Sequence, residues 1–308
     1  TFKNRFKDWP IRIAVINRFV SGVEATKVLD QLKKGELDII IGTHRLLSQD
    51  VVYKNLGLLI IDEEQKFGVK HKEKLRYMKN QVDTLAMSAT PIPRTLNMSL
   101  LGIRDLSLIH TPPNDRLPTR TFVSKFDMQV IKKSVMEEVK RGGQIFFLHN
   151  RVHSIYELAD NLRSALPKVR MAVAHGQMEE HELEKTIVAF FNKEIDMLVC
   201  TTIIESGMDI PNANTMFVDQ AQALGLSQLY QLRGRVGRSK QRAFCYLLIP
   251  RHGKIEDVAK ERLRILQQNT ALGSGIQIAQ YDLELRGAGT LLGEEQSGSV
   301  DAIGYEMS

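Results

Sequence analysis

The sequence predicts an α/β fold with two parallel sheets, and three observations lead to that prediction. Short apolar runs rich in β-branched residues alternate along the chain with amphipathic stretches of helical period, as in parallel strands joined by crossover helices. Several of these apolar runs end in a cluster of polar residues. The length of 308 residues exceeds the roughly 250–300 residues at which a single hydrophobic core stops growing, so we expect two compact units and an appendage.

Nine apolar runs are predicted to be strands. Ligands bind beyond the carboxyl ends of strands in open parallel sheets, so the polar residues that follow these runs are candidates for function. The predicted strands are 11–16, 38–41, 58–61, 84–87, 144–148, 169–174, 195–200, 215–218 and 243–249.

Helical periodicity and proline positions suggest the domain limits. The helical pattern is clearest over residues 23–32, 128–139 and 155–166. Three prolines interrupt both periodicities in residues 111–118, which we interpret as an interdomain linker. We therefore expect a first domain over 1–110 and a second over 119–250. The appendage at 251–308 then has a charged helical stretch, 255–268, and a Gly-rich segment, 272–304.

Composition restricts the class of protein. With 43% hydrophobic and 25% charged residues the chain is an ordinary globular one, and no apolar run approaches the ~18 residues that span a bilayer. Cys200 and Cys245 each lie in an apolar run and form no C-x-x-C pair, so we expect reduced core cysteines and a cytoplasmic protein. The net charge of +6 is compatible with a nucleic-acid partner but does not indicate one by itself.

The sharpest local signal is the predicted strand 58–61 with the acidic residues that follow it, Asp62, Glu63 and Glu64. An apolar strand ending in acidic residues is the Walker B pattern. Phosphoryl transfer needs a carboxylate to hold the Mg²⁺ shell and a group to orient the attacking water, and Asp62 and Glu63 can take these two roles. An acidic turn after a buried strand is the structural alternative.

A second signal is the basic stretch 231–238, which we expect to begin a helix. Guanidinium groups bind phosphate oxygens in a bidentate manner, and an arginine supplied from another domain can accelerate phosphoryl transfer by ~10³–10⁵. Arg235 and Arg238 are therefore candidate arginine fingers. A solvated basic stripe is the alternative, and the acidic strand in the other domain disfavours it.

With residues 88–90 and 201–211, these stretches resemble motifs II, III, V and VI of superfamily 2 helicases in order and spacing. Further motifs narrow the resemblance to the RecG and Mfd branch, and some of them resemble the transcription-repair coupling factors (Mfd) in particular. The branch motifs are 67–69, 90–96 and 285–289, and the more specific ones are 104–107, 111–113 and 291–298. The resemblance covers essentially the whole chain. It implies two RecA-like domains followed by a C-terminal helical hairpin that carries a translocation motif.

The resemblance also implies a function, an ATP-dependent motor that translocates on double-stranded DNA. Such a motor displaces stalled RNA polymerase and recruits nucleotide excision repair, the partners being held by other domains. ATP and Mg²⁺ would be held by Asp62, Glu63, Arg235 and Arg238, with Asp62 reaching the metal through water.

The resemblance assigns further residues by their place in its motifs. These are Gln65, Gly207, Asp209 and Gln231 for ATP; Ser88 and Thr90 for coupling hydrolysis to DNA contact; Thr43, His44, Arg151, Thr201 and Thr202 for DNA; and Arg262, Arg286 and Gln296 for translocation. Hydroxyls and an arginine at strand ends suit phosphate oxygens, although Thr43 and Thr202 could instead cap strand ends. We expect Arg286, flanked by the small residues 287–289, to reach carbonyls across a tight loop.

The chain departs from the family in two places. No G-x-x-x-x-G-K-[ST] loop occurs in these residues, and Gln65 stands where family members commonly carry His. We therefore expect a fragment whose first domain is incomplete at its amino end and which binds ATP poorly on its own. Two alternatives stay open: a RecG-type fork-remodelling helicase, and a non-hydrolysing DNA-binding module whose affinity depends on salt but not on nucleotide.

Overall fold

The computed structural model of the chain describes residues 2–17, 20, 22–64, 67–89, 107, 109, 111, 117–202, 210–238 and 240–292. The chain divides into two compact units, Thr1–Ser88 and Ala89–Ser308. All strand pairs in the described residues are parallel, which confirms the predicted α/β class. The finer domain limits and the linker at 111–118 stay predictions, and residues 112–116 lie outside the description.

The first unit consists of two short strand pairs and their helices. β1 pairs with β2 and β3 pairs with β4. The elements are α1 (Phe2–Arg5), β1 (Ile13–Ile16), α2 (Gly22–Lys34), β2 (Ile39–Gly42), a 3-10 turn (His44–Leu47), β3 (Leu58–Asp62), α3 (Val69–Lys79) and β4 (Asp83–Met87).

The strand β3 has one face in the core of the first unit and one face exposed. Ile61 is buried with Leu75 and Met78 of α3, whereas Ile60 is half exposed. Successive side chains of a strand point to opposite faces, so Asp62 lies on the same face as Ile60. Asp62 is therefore delivered to the carboxyl end of β3 on the side away from α3.

The second unit is built on one six-stranded sheet. Its strand order is β5-β10-β9-β6-β8-β7. The elements are β5 (Arg120–Lys125), α4 (Met128–Lys140), β6 (Gln144–Leu148), α5 (Val152–Ala165), β7 (Met171–Ala174), α6 (Glu180–Phe191), β8 (Met197–Cys200), β9 (Ala213–Val218), a 3-10 turn (Ala221–Ala223), α7 (Leu226–Arg233), β10 (Phe244–Ile249), α8 (Asp257–Gln268) and α9 (Gly275–Leu292).

The central strands β6, β8 and β9 are buried along their whole length. Helices cover both faces of a parallel sheet, which is why these strands read as continuous apolar runs. Four aromatic rings stack across one face of the sheet in strand register, and neighbouring ring centroids are 4.8–5.5 Å apart. These rings are Phe147, Phe217, Tyr246 and Phe122. The ladder joins the buried centre of the sheet to its edge at β5.

The structure adds one strand that the sequence analysis missed. Among the described residues β5 pairs with β10 alone, at one end of the strand order. Of its six residues Thr121 alone is buried, and only Phe122 and Val123 are apolar. The apolar run used to recognise strands is therefore broken in β5.

Two helix predictions need correction. The basic stretch 231–238 was expected to begin a helix, but α7 ends at Arg233, within that stretch. The chain leaves α7 through Gly234 and then adopts φ +75° at Gly237, a left-handed conformation that favours glycine. Arg286 and the small residues after it were expected in a tight loop, but they lie inside α9, where leucines before and after them favour helix.

One contact occurs in the same form in both units. Arg12 precedes β1 and Asp38 precedes β2. Arg12 donates its backbone N–H and its Nε–H to Asp38 Oδ2, at 2.8 and 3.2 Å. Arg170 before β7 makes the same two bonds to Asp196 before β8, both at 3.0 Å. We call these two contacts the strand-start clamps.

The clamps shift the pKa of both carboxyl groups. The N–H of Arg12 and its side chain lower the pKa of Asp38. At Asp196 burial acts to raise the pKa, but the bonds from Arg170 outweigh it and the net pKa is lowered. Each carboxylate therefore stays ionised while it ties the amino ends of two neighbouring strands together.

Candidate nucleotide and nucleic-acid sites

The acidic end of β3 is joined to the end of β4. Glu63 has φ +51°, and its N–H donates to the Met87 carbonyl at 2.9 Å. Its carboxylate Oε2 accepts a bond from Ser88 Oγ at 3.3 Å. A non-glycine residue with positive φ is strained and is found mostly where surrounding contacts hold it for function. The structure thus brings together Glu63 and Ser88, the predicted catalytic and coupling residues.

Asp62 and Glu63 offer the ligand chemistry that Mg²⁺ requires. Asp62 is the last residue of β3 and is exposed, and Glu63 beside it is half-buried. Mg²⁺ is usually bound through one or two carboxylates, waters and substrate phosphates, so one exposed carboxylate with a second beside it suits this ion. The neighbouring Glu64 is occupied otherwise, because Lys79 Nζ lies 2.6 Å from its Oε1. The predicted partners Gln65 and Thr90 lie outside the described residues.

The basic residues of the second unit differ in exposure. Gln231 lies in the last turns of α7, and Arg235 and Arg238 follow the helix. Arg235 is half-buried, whereas Arg238 is exposed with its Nε 3.5 Å from the Gly234 carbonyl. The two candidate fingers are thus on one irregular segment. Gly207 and Asp209, the other predicted ATP residues, lie outside the described residues.

Arg233 is a buried arginine that the sequence analysis did not single out. Its Nη1 donates to the carbonyls of Leu266 and Asn269 at 2.9 and 2.7 Å, and its guanidinium lies 5.0 Å from the ring centroid of Tyr230. Burial lowers its pKa. These bonds tie the basic stretch to the carboxyl end of α8. The sequence shows an arginine there but not that it points inward.

Two of the predicted DNA residues occupy equivalent positions at strand ends. Thr43 follows β2 and donates its N–H to Ile16, the last residue of β1, at 3.3 Å. Thr201 follows β8 and donates its N–H to Ala174, the last residue of β7, at 3.2 Å. They differ in accessibility, because Thr43 is exposed and Thr201 is only 7% exposed. The side chain of Thr43 makes no capping bond to the 3-10 turn that it precedes.

The residues after Thr43 and Thr201 differ in their contacts. His44 is exposed, and its ring centroid is 5.4 Å from that of His71. Thr202 Oγ1 lies 3.5 Å from Asn150 Oδ1, which links the end of β8 to the end of β6. In the part of the chain that the structure describes, no group of three or more potential ligands could hold a metal ion.

Arg151 lies in the loop after β6, at the amino end of α5. It is exposed and makes no side-chain capping bond to that helix. The residue two before it, His149, is 6% exposed and lies between two polar partners. His149 Nδ1 is 2.7 Å from Asp219 Oδ2, and its Nε2 is 2.8 Å from Ser154 Oγ. The sequence analysis did not identify this cluster, because Asp219 is 70 residues away along the chain.

The predicted translocation residues lie in or beyond the terminal helix pair α8 and α9. Arg262 in α8 is half-buried, and its Nη2 donates to the Gln222 carbonyl at 3.3 Å. Arg286 lies in α9, but its side chain is outside the described part of the structure, as is the whole of Gln296. The contact of Arg262 is with the 3-10 turn after β9, so α8 is tied to the carboxyl end of an inner strand of the sheet.

Comparison with known families agrees with this architecture. Residues 1–99 match the DEAD/DEAH box helicase family, and residues 127–240 match the helicase conserved C-terminal domain. A transcription-repair-coupling factor of Myxococcus xanthus is 52% identical over 307 residues, which is 100% of this chain. The chain has a DEAD/DEAH box helicase domain and a helicase conserved C-terminal domain. A helicase chain of this type implies nucleotide binding.

This helicase chain is similar to several named proteins. The transcription-repair-coupling factor of Bacillus subtilis (strain 168) is also 52% identical over 307 residues. The chain spans about a quarter of the length of these relatives, 26% in both cases. It contains no helix, in the residues described, that is long and apolar enough to cross a membrane.

Solved structures resemble this helicase chain in fold. RecG bound to a three-way DNA junction is 37% identical with a TM-score of 0.71, and the match covers 94% of this chain and 38% of RecG. Dbp5 of S. cerevisiae bound to RNA and ADP BeF3 has a TM-score of 0.62 at 12% identity, and it covers 92% of this chain and 76% of Dbp5. The second similarity shows the two-domain RecA-type fold alone.

Proposed function

We propose that this chain is the motor segment of a transcription-repair coupling factor, a DNA translocase driven by ATP and Mg²⁺. The observation that carries the proposal is the arrangement at the ends of β3 and β4. There the predicted catalytic carboxylate of Glu63 is held in a strained conformation and bonded to the predicted coupling residue Ser88. The identity of about half of all residues to named coupling factors supports the choice within the superfamily.

The residues divide the phosphoryl-transfer reaction between them. The Glu63 carboxylate orients the attacking water and accepts its proton. Asp62 would hold Mg²⁺ through water, and the ion would supply positive charge to the phosphate oxygens. Arg235 and Arg238 stabilise the charge that develops on those oxygens, and Gln231, Gln65, Gly207 and Asp209 contact the nucleotide.

The bond from Ser88 Oγ to Glu63 gives the carboxylate a second state. When Glu63 turns to a water molecule, its bond to Ser88 breaks, and Ser88 lies directly before Ala89 and Thr90 in the chain. This exchange is a candidate for the link between hydrolysis and DNA contact. The DNA itself is proposed to meet Thr43, His44, Arg151, Thr201 and Thr202, and Arg262, Arg286 and Gln296 are proposed to act in translocation.

The test is a segment exchange with a full-length relative. The chain replaces the matching segment of the Bacillus subtilis coupling factor, and DNA-dependent ATPase activity and nucleotide binding are measured for the exchange protein and its Glu63→Gln variant. We expect Glu63→Gln to remove nearly all turnover, by on the order of 10²–10⁴-fold, because the amide cannot accept the proton of the attacking water. Nucleotide affinity stays within a few-fold. Full turnover in Glu63→Gln contradicts the proposal.

The similarity to RecG makes fork remodelling the second candidate function. The same exchange protein distinguishes the two by its substrates. A coupling factor displaces RNA polymerase stalled on DNA, and a fork-remodelling helicase regresses a synthetic fork. Fork regression without polymerase displacement would favour the second function. For the whole protein we also propose a cytoplasmic location, with RNA polymerase and an excision-repair factor as partners.

A further inference from the structure

The loop after β6 is fixed by a buried histidine that the proposed mechanism does not use. The backbone N–H of His149 donates to the Cys200 carbonyl at 2.8 Å, which keeps the start of the loop in register with β8. The backbone N–H of Asp219 donates to the Leu148 carbonyl at 2.9 Å, which keeps Asp219 beside it. These backbone bonds hold His149 and Asp219 side by side, independently of the contact between their side chains.

The three side chains form a directed chain of hydrogen bonds. An ionised carboxylate only accepts hydrogen bonds, so the Nδ1 of His149 carries a proton and donates to Asp219. With Nδ1 protonated, Nε2 is an acceptor, and the Ser154 hydroxyl donates a hydrogen bond to it. Ser154 lies in the first turn of α5, so the ring joins the end of β9 to the start of that helix.

The segment between the two anchored ends is Asn150–Arg151. Asn150 Oδ1 lies 3.5 Å from Thr202 Oγ1, and Arg151 stands exposed at the amino end of α5. Only two residues separate the fixed ring from the helix that carries Ser154, so the backbone at Arg151 has little freedom. A donor held in place before its ligand arrives binds at a lower entropic cost.

We propose that His149, held by Asp219 and Ser154, is a positioning residue that fixes Arg151 and Thr202 to receive a phosphate group of the nucleic-acid backbone. This inference rests on the proposed DNA contact of Arg151. The same side-chain types form nucleophilic triads in hydrolases, where the serine attacks. Here the serine hydroxyl closes the connection between a strand and a helix.

The experiment measures binding of the 308-residue chain to a short blunt-ended DNA duplex as a function of KCl concentration. The variants are Ser154→Ala, Asp219→Asn and Arg151→Ala, and Ser154→Thr is the conservative replacement. Ser164→Ala is the matched control, because Ser164 lies on the same helix and its hydroxyl bonds only the Asp160 carbonyl. Thermal unfolding of each variant is recorded beside the binding curve.

We expect Ser154→Ala to weaken binding about two- to tenfold, the equivalent of one hydrogen bond, and to make the plot of log affinity against log salt less steep by up to about 0.9. Ser154→Thr, which keeps the hydroxyl, and the control Ser164→Ala should both bind as tightly as the unaltered chain. Asp219→Asn is nearly isosteric and alters the other bond of the imidazole, the one at Nδ1, so it tests the positioning role where Ser154→Ala folds poorly, and we expect a similar loss.

The double variant separates positioning from general stability. If Ser154 acts through Arg151, Ser154→Ala has a smaller effect on affinity in an Arg151→Ala background, where only the contact of Thr202 remains to be positioned. A loss of the same size in both backgrounds overturns the inference, as does Ser154→Ala with wild-type affinity. Labelling of Ser154 by a fluorophosphonate also overturns it, since that outcome indicates a nucleophile.

The outcomes distinguish this inference from the proposed function. If Arg151→Ala binds duplex DNA as tightly as the unaltered chain, the proposed DNA contact fails and the positioning role fails with it. If Arg151→Ala weakens binding while Ser154→Ala and Asp219→Asn do not, the DNA contact stands and only the positioning role is lost.

Discussion

Among individual residues, Glu138 shows how a buried charge is accommodated in the second unit. Its side chain is 1% exposed, and it accepts bonds from Arg141 and from Thr215 of β9. Arg141 also donates to the Arg242 carbonyl at 2.8 Å, and its guanidinium lies 5.1 Å from the ring centroid of Phe244. Loss of one partner of a buried ion pair leaves the other charge without compensation.

We therefore predict that Arg141→Ala lowers the free energy of unfolding by about 3–5 kcal/mol. Arg163→Ala is the matched control, because Arg163 also pairs with an acid three residues earlier on a helix, but both side chains of that pair are exposed. An exposed pair contributes about 0–1 kcal/mol. Urea unfolding followed by circular dichroism measures both variants, and equal losses would contradict the role assigned to burial.

Glycines at two places with similar backbone conformation give a second prediction. Gly142 has φ +78° and Gly237 has φ +75°, so alanine is strained at both. An added Cβ at Gly142 meets no atom within 4 Å, whereas at Gly237 it would lie 2.9 Å from the Ala243 side chain and 3.1 Å from Thr119 Oγ1.

Gly142→Ala should cost only the left-handed strain, about 1–2 kcal/mol. Gly237→Ala should cost about 1–3 kcal/mol more, because the neighbours must move to admit the methyl group. The displacement also shifts Arg238, so we expect weaker nucleotide binding in the exchange protein for Gly237→Ala but not for Gly142→Ala. Unfolding in urea and nucleotide titration are the measurements. Similar values for the two variants would show that the close contacts are relieved without cost.

At the scale of elements, Arg233 joins the end of α7 to the end of α8. Both bonds come from Nη1 of a planar guanidinium that also lies over the Tyr230 ring, and lysine cannot reproduce this combination. We predict that Arg233→Lys increases hydrogen exchange at the carboxyl end of α8, where the Asn269 amide bonds the Ile265 carbonyl. Exchange in the central strands stays unchanged.

Arg264→Lys provides the control for this prediction. Arg264 lies on the same helix, but it is exposed and pairs with Glu261 three residues before it. Its replacement should leave the exchange of α8 as it was. If both variants raise exchange equally, the helix end depends on general charge and not on the buried contact of Arg233.

What the sequence could predict also differs between elements. β3 and its acidic end were predicted because a buried strand followed by carboxylates is a local pattern. The edge strand β5 was missed because only two of its six residues are apolar, which leaves no apolar run to recognise. The bond between His149 and Asp219 and the inward turn of Arg233 depend on chain crossings far apart in sequence, which no local pattern records.

For the molecule as a whole, the two cysteines report on opening of the second unit. Cys200 and Cys245 are both free and fully buried. Burial raises the pKa of both thiols, that of Cys245 to about 12. We predict that a disulfide reagent labels neither thiol in the native protein and labels both in denaturant. Rapid labelling under native conditions would show that the sheet opens locally.

The same thiols make stability depend on alkaline pH. An unfolded thiol ionises near pH ~8.5, while the buried thiols keep their protons to a higher pH. The folded state then binds more protons, so stability is complete below pH ~8.5 and falls above it by up to about 1.4 kcal/mol per pH unit for each thiol. The double variant Cys200→Ala, Cys245→Ala should lose this part of the decrease in unfolding free energy with pH. If the unfolding free energy of that variant falls with pH as steeply as before, other groups cause the dependence.

The strand-start clamps give the two units a common local geometry. In both units the arginine and the aspartate are 26 residues apart, and a threonine follows the second strand at the same distance from the aspartate. The same spacing, contact and backbone bond therefore place Thr43 and Thr201 at corresponding points of the two units. The next position differs, because it holds His44 in one unit and Thr202 in the other, so the two strand ends present different side chains.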